Sequence, residues 1–164
     1  MKTCAFIGPR IAEVDIFGDK LLQILTDLIE SEGVTQFYSL YRGTFDEYCS
    51  RLIHGLKSKY PQIKNVLAVP YNSQARCNGE QKVVLPEFFD DCVYLPKRTA
   101  PYDPAIIDEN KCLIDLVDFV DCVVATAVAP IGGIYQACVY AQRNDKPVCN
   151  MFFGWNVFDK TQRN

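Results

Sequence analysis

Apolar residues along this chain fall into two alternating patterns. Short, continuous apolar runs of strand length recur, separated by segments whose apolar residues repeat at helical spacing. TCAFIG, ending in Gly-Pro, predicts a first strand. DIFGDKLLQILTDLIESEG carries Leu21, Leu22, Leu25, Leu28 and Ile29 at helical spacing and stops at Gly33. VTQFYSLY is β-branched and aromatic, which predicts strand two, ending at Arg42-Gly43. TFDEYCSRLIHGLKSKYP then opens a helix with Thr44 as N-cap, Glu47 completing a capping box, and Pro61 as the stop. NVLAVPY predicts strand three and DDCVYLP a shorter strand four. PAIIDENKCLIDLVDFV is helical, CVVATAVA is strand five, GIYQACVYAQRND is the next helix and KPVCNMFF is strand six. The stretch from Asn72 to Pro86 is the least regular, and reads either as a loop over the site or as a small helix.

Strands alternating with helices predict an α/β fold over residues 1–164 as a single domain. Continuous apolar strands are those of a largely parallel sheet covered on both faces. Right-handed crossovers then favour a Rossmann-like, doubly wound layout with helices on both faces. There is no internal repeat, low-complexity tract or linker.

Composition narrows the function classes. Hydrophobic residues make up 49% and charged residues 23% of the 164, ordinary values for a soluble globular protein. No apolar stretch approaches the roughly 20 residues of a membrane span. MKTCAFIGPR is too short in its apolar part for a secretory signal, so a cytoplasmic location and no membrane partner are expected. The net charge of −3, well mixed along the chain, argues against a nucleic-acid partner, which usually shows a basic stripe. The eight cysteines form no CxxC pair and His54 is the single histidine, so no metal site and no cofactor are expected. Reduced, mostly buried thiols and an exposed, structural His54 are the simpler reading.

Ligands of open parallel sheets bind at the carboxyl ends of the strands, near a switch in strand order. The unusual residues gather there: Gly8-Pro9-Arg10, then Arg42-Gly43-Thr44, Tyr71 after Pro70, Lys97-Arg98 after Pro96, and Pro130-Ile131-Gly132-Gly133. Glycines before a helix present N–H groups to an anion, aided by the helix dipole; otherwise they only make a tight turn. Arg10, Arg42, Lys97 and Arg98 suit a phosphate, or are solvated surface charge. Tyr71 and Tyr135 suit a base, or act as core lids. Asp46 and Glu47 are the candidate catalytic acids, or simply complement the helix dipole. GPRIAEVD after strand one is not GxGxxG, which disfavours a standard NAD site; GKS/GKT and the serine elbow are absent too. Phe152, Phe153, Trp155 and Phe158 either close the core or form part of a dimer face.

The order of these motifs resembles the YpsA-like branch of the SLOG superfamily, which also takes in LOG phosphoribohydrolases and the DprA/Smf proteins. KTCAFIGPR is similar to its KxxxFTGHR opening, and FYSLYRGTFDEYCSRLIHGLKSKYPQIKNVLAVPY to its strand, glycine turn, aspartate, helix and "KYP…I…PY" piece. AIIDENKCLIDLVDFVDCVVATAVAPIGGIYQACVYAQRNDKPV is similar to its "RNxxMVDxSDxxIAVxxxxxGGTxxxxxYAxxxxKPV" block. The resemblance runs from Lys2 to about Phe153. It implies a Rossmann-like domain, often dimeric, that binds a nucleotide or nucleotide derivative beside its glycine turns. Gly8 and Arg10 match the first loop, Gly43 and Asp46 the second, Asn110 the RN position, and Gly132-Gly133 the phosphate turn; Tyr140 and Ala141 match the YA on the helix. Departures are Pro9 for histidine, Tyr41-Arg42 for two small residues, Ile134 for threonine, and Val139 where LOG enzymes carry their catalytic glutamate. The leading expectation is a sensor or carrier of an ADP-ribose or nucleoside-phosphate ligand, as a homodimer or larger homo-oligomer. The alternative is a nucleotide N-glycosidase or deoxyribosyltransferase-like enzyme using an acid at the second strand end. A DprA-like nucleic-acid binder has the least support.

Overall fold

A computed structural model describes residues 1–70, 84–95, 105–115, 122–127, 131–152 and 154–155. Its strands are β1 (Lys2–Ile7), β2 (Val34–Ser39), β3 (Lys64–Val69), β4 (Asp91–Tyr94), β5 (Cys122–Ala125), β6 (Val148–Asn150) and β7 (Gly154–Trp155). The helices are α1 (Gly18–Glu30), α2 (Thr44–Leu56), α3 (Ala105–Asp115) and α4 (Gly132–Arg143), with a 3₁₀ turn at Val14–Ile16. The strands form one sheet in the order β4-β3-β2-β1-β5-β6-β7. The first six are parallel, and β7 returns antiparallel to β6. The fold is α/β, Rossmann-like and doubly wound.

Side-chain alternation along β1 divides the core. Cys4 and Phe6 join Leu21, Leu25, Phe45, Cys49 and Ile53 from α1 and α2 on one face. Ala5 and Ile7 join Leu113, Ile114, Ala137, Cys138 and Ala141 from α3 and α4 on the other. Both faces of the central strand are dry, which is why it reads as a continuous apolar run. Phe6 stacks on Phe37 at 5.7 Å between centroids and meets Phe45 edge-on at 6.5 Å. Burial raises the Cys49 thiol well above its ordinary pKa and Cys138 to about 12, so both stay protonated and pack as small hydrophobes. His54 is exposed on α2, its ring edge against Phe88 at 5.3 Å. Among the described residues no helix is long and apolar enough to cross a membrane.

Two expectations are corrected. Thr44 is not the N-cap of α2: Gly43 is, and Thr44 is the first helical residue. The Thr44 hydroxyl instead accepts the Ala12 N–H at 2.6 Å, an engagement set by a distant loop. The run KPVCNMFF does not stay a strand to its end, because β6 stops at Asn150. Its side-chain oxygen accepts the Phe152 N–H at 3.1 Å, an Asx-type turn, and its amide donates to the Ala127 carbonyl at 2.9 Å. The chain then reverses into β7.

The loops after β1 and β2 are pressed together at the carboxyl edge. The Thr44 N–H donates to the Arg10 carbonyl at 2.9 Å. A Cβ on Gly43 would lie 2.3 Å from Arg10 Cα and 2.5 Å from its carbonyl oxygen. A Cβ on Gly8 would lie 2.2 Å from Cδ1 of Phe45. Both glycines are therefore needed for close approach. Gly43→Ala is expected to destabilise by about 1–3 kcal/mol through overpacking. Gly55→Ala, inside α2 with nothing within 4 Å of the new methyl, should stabilise by about 0.5–1 kcal/mol. Urea midpoints that move the two variants in the same direction would contradict this loop contact.

Candidate functional site

The strand order reverses between β1 and β5. The chain leaves β1 for α1 on one face and leaves β5 for α4 on the other, which opens a crevice between their carboxyl ends. Gly8-Pro9-Arg10 leaves the end of β1, and α4 follows the neighbouring β5. Gly132 opens that helix with φ +90°, a backbone conformation that favours glycine, and nothing among the described residues lies within 4 Å of where its Cβ would be. Ile131 before it is exposed and supplies no side-chain cap. The first N–H groups of a helix have no partner within it, so this entry presents donors. Thr126, just past β5, is buried; its N–H donates to the Ile7 carbonyl at 3.2 Å and its hydroxyl has no hydrogen-bond partner among the described residues.

A charged group surrounds the second loop. Tyr41 lies in the left-handed region at φ +53°, its ring edge-on to Phe89 at 5.1 Å. Such a conformation in a non-glycine residue costs roughly 1–3 kcal/mol and persists only where its surroundings impose it. The turn aims the Tyr41 and Arg42 N–H groups at Asp46, whose Oδ2 accepts from Arg42 N at 3.1 Å. With Gly43 as N-cap, Asp46 is the third helical residue reaching back. It fills the role that the sequence assigned to Glu47, one position later. Oδ1 of Asp46 has no hydrogen-bond partner, and the residue is only 4% exposed. Burial raises its pKa to about 7, against the opposing pull of the Arg42 N–H, the Arg42 charge and the Tyr41 N–H.

Arg42 does not face solvent as a free cation. Its guanidinium forms an ion pair with Glu109 of α3. Burial lowers the Arg42 pKa; Asp46 opposes that, and the nearby Arg10 charge adds to it. Arg10 is exposed and makes no ion pair among the described residues.

The structure thus brings Gly8, Pro9, Arg10, Arg42, Gly43, Thr44 and Asp46 together at the ends of β1 and β2. Ile131, Gly132, Gly133 and Tyr135 stand at the end of β5, with Asn110 buried on α3 beside Glu109. Glu47 is set apart, paired with Arg51 at 2.6 Å one helical turn on. Tyr71, Lys97, Arg98 and Pro130 lie outside the described residues. Sequence reading missed Thr126, hidden in an apolar run, and Glu109, whose partner is distant in the chain. Val139 lines a cleft of about 320 Å³ on the outer side of α3 and α4, with Lys111, Tyr135, Gln136, Tyr140 and Arg143. No group of three or more metal-ligating side chains occurs among the described residues.

Fold and crevice define an α/β protein with a doubly wound sheet and a glycine-led helix entry at its switch point. The chain matches no known family profile. Over 66 residues it is 33% identical to the uncharacterised SPbeta prophage-derived protein YoqJ of Bacillus subtilis strain 168. That segment is 40% of this chain and 39% of YoqJ, so the match spans well under half of the relative. The X-ray structure of TM1055, a Northeast Structural Genomics Consortium target, aligns with a TM-score of 0.52 at 18% identity. The alignment covers 90% of this chain and 72% of TM1055, and it shows a shared fold.

The Asp46 environment has a consequence for stability. The folded protein keeps the Asp46 proton up to about pH 7, whereas an ordinary carboxyl of pKa 3.8 has lost it. Between those values only the folded state is protonated. Stability therefore falls as pH rises, by about 1.4 kcal/mol per unit, and this contribution levels off above the upper value. Asp46→Asn keeps the acceptor for the Arg42 N–H and removes the slope. Urea melts should show the variant gaining on wild type from about pH 5 to about pH 8; parallel profiles would refute the assignment.

Proposed function

We propose that this chain is a SLOG-type protein that binds a nucleotide or nucleotide derivative in the crevice between β1 and β5, as a sensor or carrier. The observation that carries the reading is the glycine-led entry of α4 after β5, the strand that neighbours β1 and its Gly8-Pro9-Arg10 loop at the topological switch point. Helix donors, a left-handed glycine with open space beside it, and an exposed arginine across the crevice are a phosphate's requirements. The partnerless Thr126 hydroxyl at the end of β5 adds a polar group to the same place. Val139, where LOG enzymes carry their glutamate, lines the outer cleft of α3 and α4, which weighs against cleavage in the LOG manner. The resemblance to YpsA-like proteins supports the same ligand class.

A thermal-shift panel of AMP, ADP-ribose, cyclic ADP-ribose isomers and NAD tests this. A true ligand at about 100 times its Kd adds about 2.7 kcal/mol, which is roughly 5–10 °C for a domain of this size. Gly132→Val puts a branched side chain into the space beside the turn and should abolish the shift while the protein still folds. Silence of the folded wild type across the panel would reject the reading.

A second reading is favoured by one observation. Asp46 has a free carboxylate oxygen and a pKa of about 7, so near neutrality it can serve as acid or base. That suits a nucleotide N-glycosidase, where a carboxyl group assists departure of the base or stabilises an oxocarbenium-like sugar. Release of free base from nucleoside monophosphates, lost in Asp46→Asn with binding retained, is the expected signature. Binding without turnover in the wild type leaves the carrier reading alone.

A further inference from the structure

The ion pair between Arg42 and Glu109 has a bearing on what the crevice accepts. Arg42 belongs to the loop after β2, and Glu109 to α3, the helix that packs on α4 and touches β1. Their side chains are only 29% and 16% exposed. Lys146 ties the loop after α4 to the Ile114 carbonyl at the end of α3, at 2.7 Å, so the helix bearing Glu109 is fixed to the helix bearing the glycine turn. The pair therefore links the second loop to the helix pair that seats the phosphate-binding entry.

The charges at the crevice can be summed among the described residues. Arg10 and Arg42 contribute two positive charges and Glu109 one negative, with Asp46 adding up to one more when ionised. The entry of α4 adds about half a positive charge. Arg10 with that entry offers roughly +1.5, which matches the −1.5 to −2 of one phosphate monoester. A second phosphate would find Arg42 already occupied by Glu109.

We propose that Glu109 sets the number of phosphates this site accepts: by holding Arg42 it restricts the crevice to phosphate monoesters, such as a nucleoside monophosphate. The inference rests on the nucleotide reading above and narrows it. A guanidinium engaged by a carboxylate only 16% exposed gives little to a diphosphate, because the ligand must first displace a partner tethered to the same chain. Glu109 thus acts as a specificity-determining residue and touches the ligand only through Arg42.

Isothermal titration with AMP, ADP, inorganic phosphate and pyrophosphate tests this, at about pH 8, above the second phosphate pKa near 6. Wild type, Glu109→Gln and the double variant Arg42→Gln with Glu109→Gln are compared, each shown to be folded by circular dichroism and melting. Wild type should bind AMP at least about tenfold more tightly than ADP, and phosphate more tightly than pyrophosphate. Glu109→Gln should shift both ratios about tenfold toward the diphosphates, and the double variant should return them to wild type. Should Glu109→Gln not fold, the double variant, which removes both members of the ion pair, must still show the wild-type preference. Wild-type binding with no preference by phosphate number, or ratios that Glu109→Gln leaves unchanged, overturns this inference and spares the nucleotide reading. A folded wild type that binds none of the four probes overturns this inference, and the nucleotide reading falls only with silence across its own panel as well.

Discussion

The structure depends on β1 being buried on both sides and paired on both edges. It hydrogen-bonds to β2 and β5, and its residues alternate between the two cores. The chain reverses its direction across the sheet between β1 and its neighbour β5. Whatever leaves the end of β1 must pass between the loops of its two neighbours. That passage forces glycine at Gly8, where the Phe45 ring takes the space of a side chain, and at Gly43, where the Arg10 backbone does. The same compression fixes the first loop against α2 through Thr44, so the wall of the crevice is set by packing, before any ligand is considered.

The carboxyl edge is also where the fold carries costs that stability alone does not explain. Asp46 is buried with one oxygen unpartnered, Thr126 and Ser39 have hydroxyls without partners, and Tyr41 is held in a left-handed conformation. A buried polar group without a hydrogen bond costs about 1–3 kcal/mol, more when charged. Natural proteins concentrate such costs where function requires the geometry, because selection for stability elsewhere offsets them. At the other end of the strands, Asn65 of β3 donates its backbone N–H to Asp90 at 2.8 Å and its amide to the Phe88 carbonyl at 2.9 Å, and its Oδ1 too is buried without a partner among the described residues.

The order of elements was legible because each carries its own signal. Strands buried on both faces are apolar runs, and helices buried on one face show a stripe such as Leu21, Leu25 and Leu28. What was not legible depends on contacts between distant segments. Gly43 and Thr44 are both acceptable N-caps, and only the first loop, bonding the Thr44 hydroxyl to Ala12, decides between them. That one-residue shift passes the back-reaching role from Glu47 to Asp46, and with it the buried acid of the second loop. β7 is two residues long and is produced by the turn at Asn150, too short to leave a pattern. Of the candidate site, the glycines were visible as unusual, yet the reason for Gly8 and Gly43 is close packing, whereas Gly132 needs its backbone conformation. Arg42 was visible as a cation, but the acid that neutralises it sits on a helix reached only after two more strands.

The separation of the two halves of the proposed site would limit what its ligand can be. The glycine turn follows β5 and the buried acid follows β2, on opposite sides of β1. Two strand spacings lie between them, about 10 Å. A lone phosphate at the α4 entry would leave Asp46 unused, and a neutral sugar at Asp46 would leave the helix donors unused. A phosphorylated sugar bearing a base can place its phosphate on one side of the end of β1 and a hydroxyl or anomeric carbon on the other. Asp46 stands in the first turn of α2, whose entry is held against the first loop by packing and by the Thr44 N–H to the Arg10 carbonyl. Any chemistry on the sugar would then depend on how firmly Gly43 and Thr44 keep the second loop in register with the first.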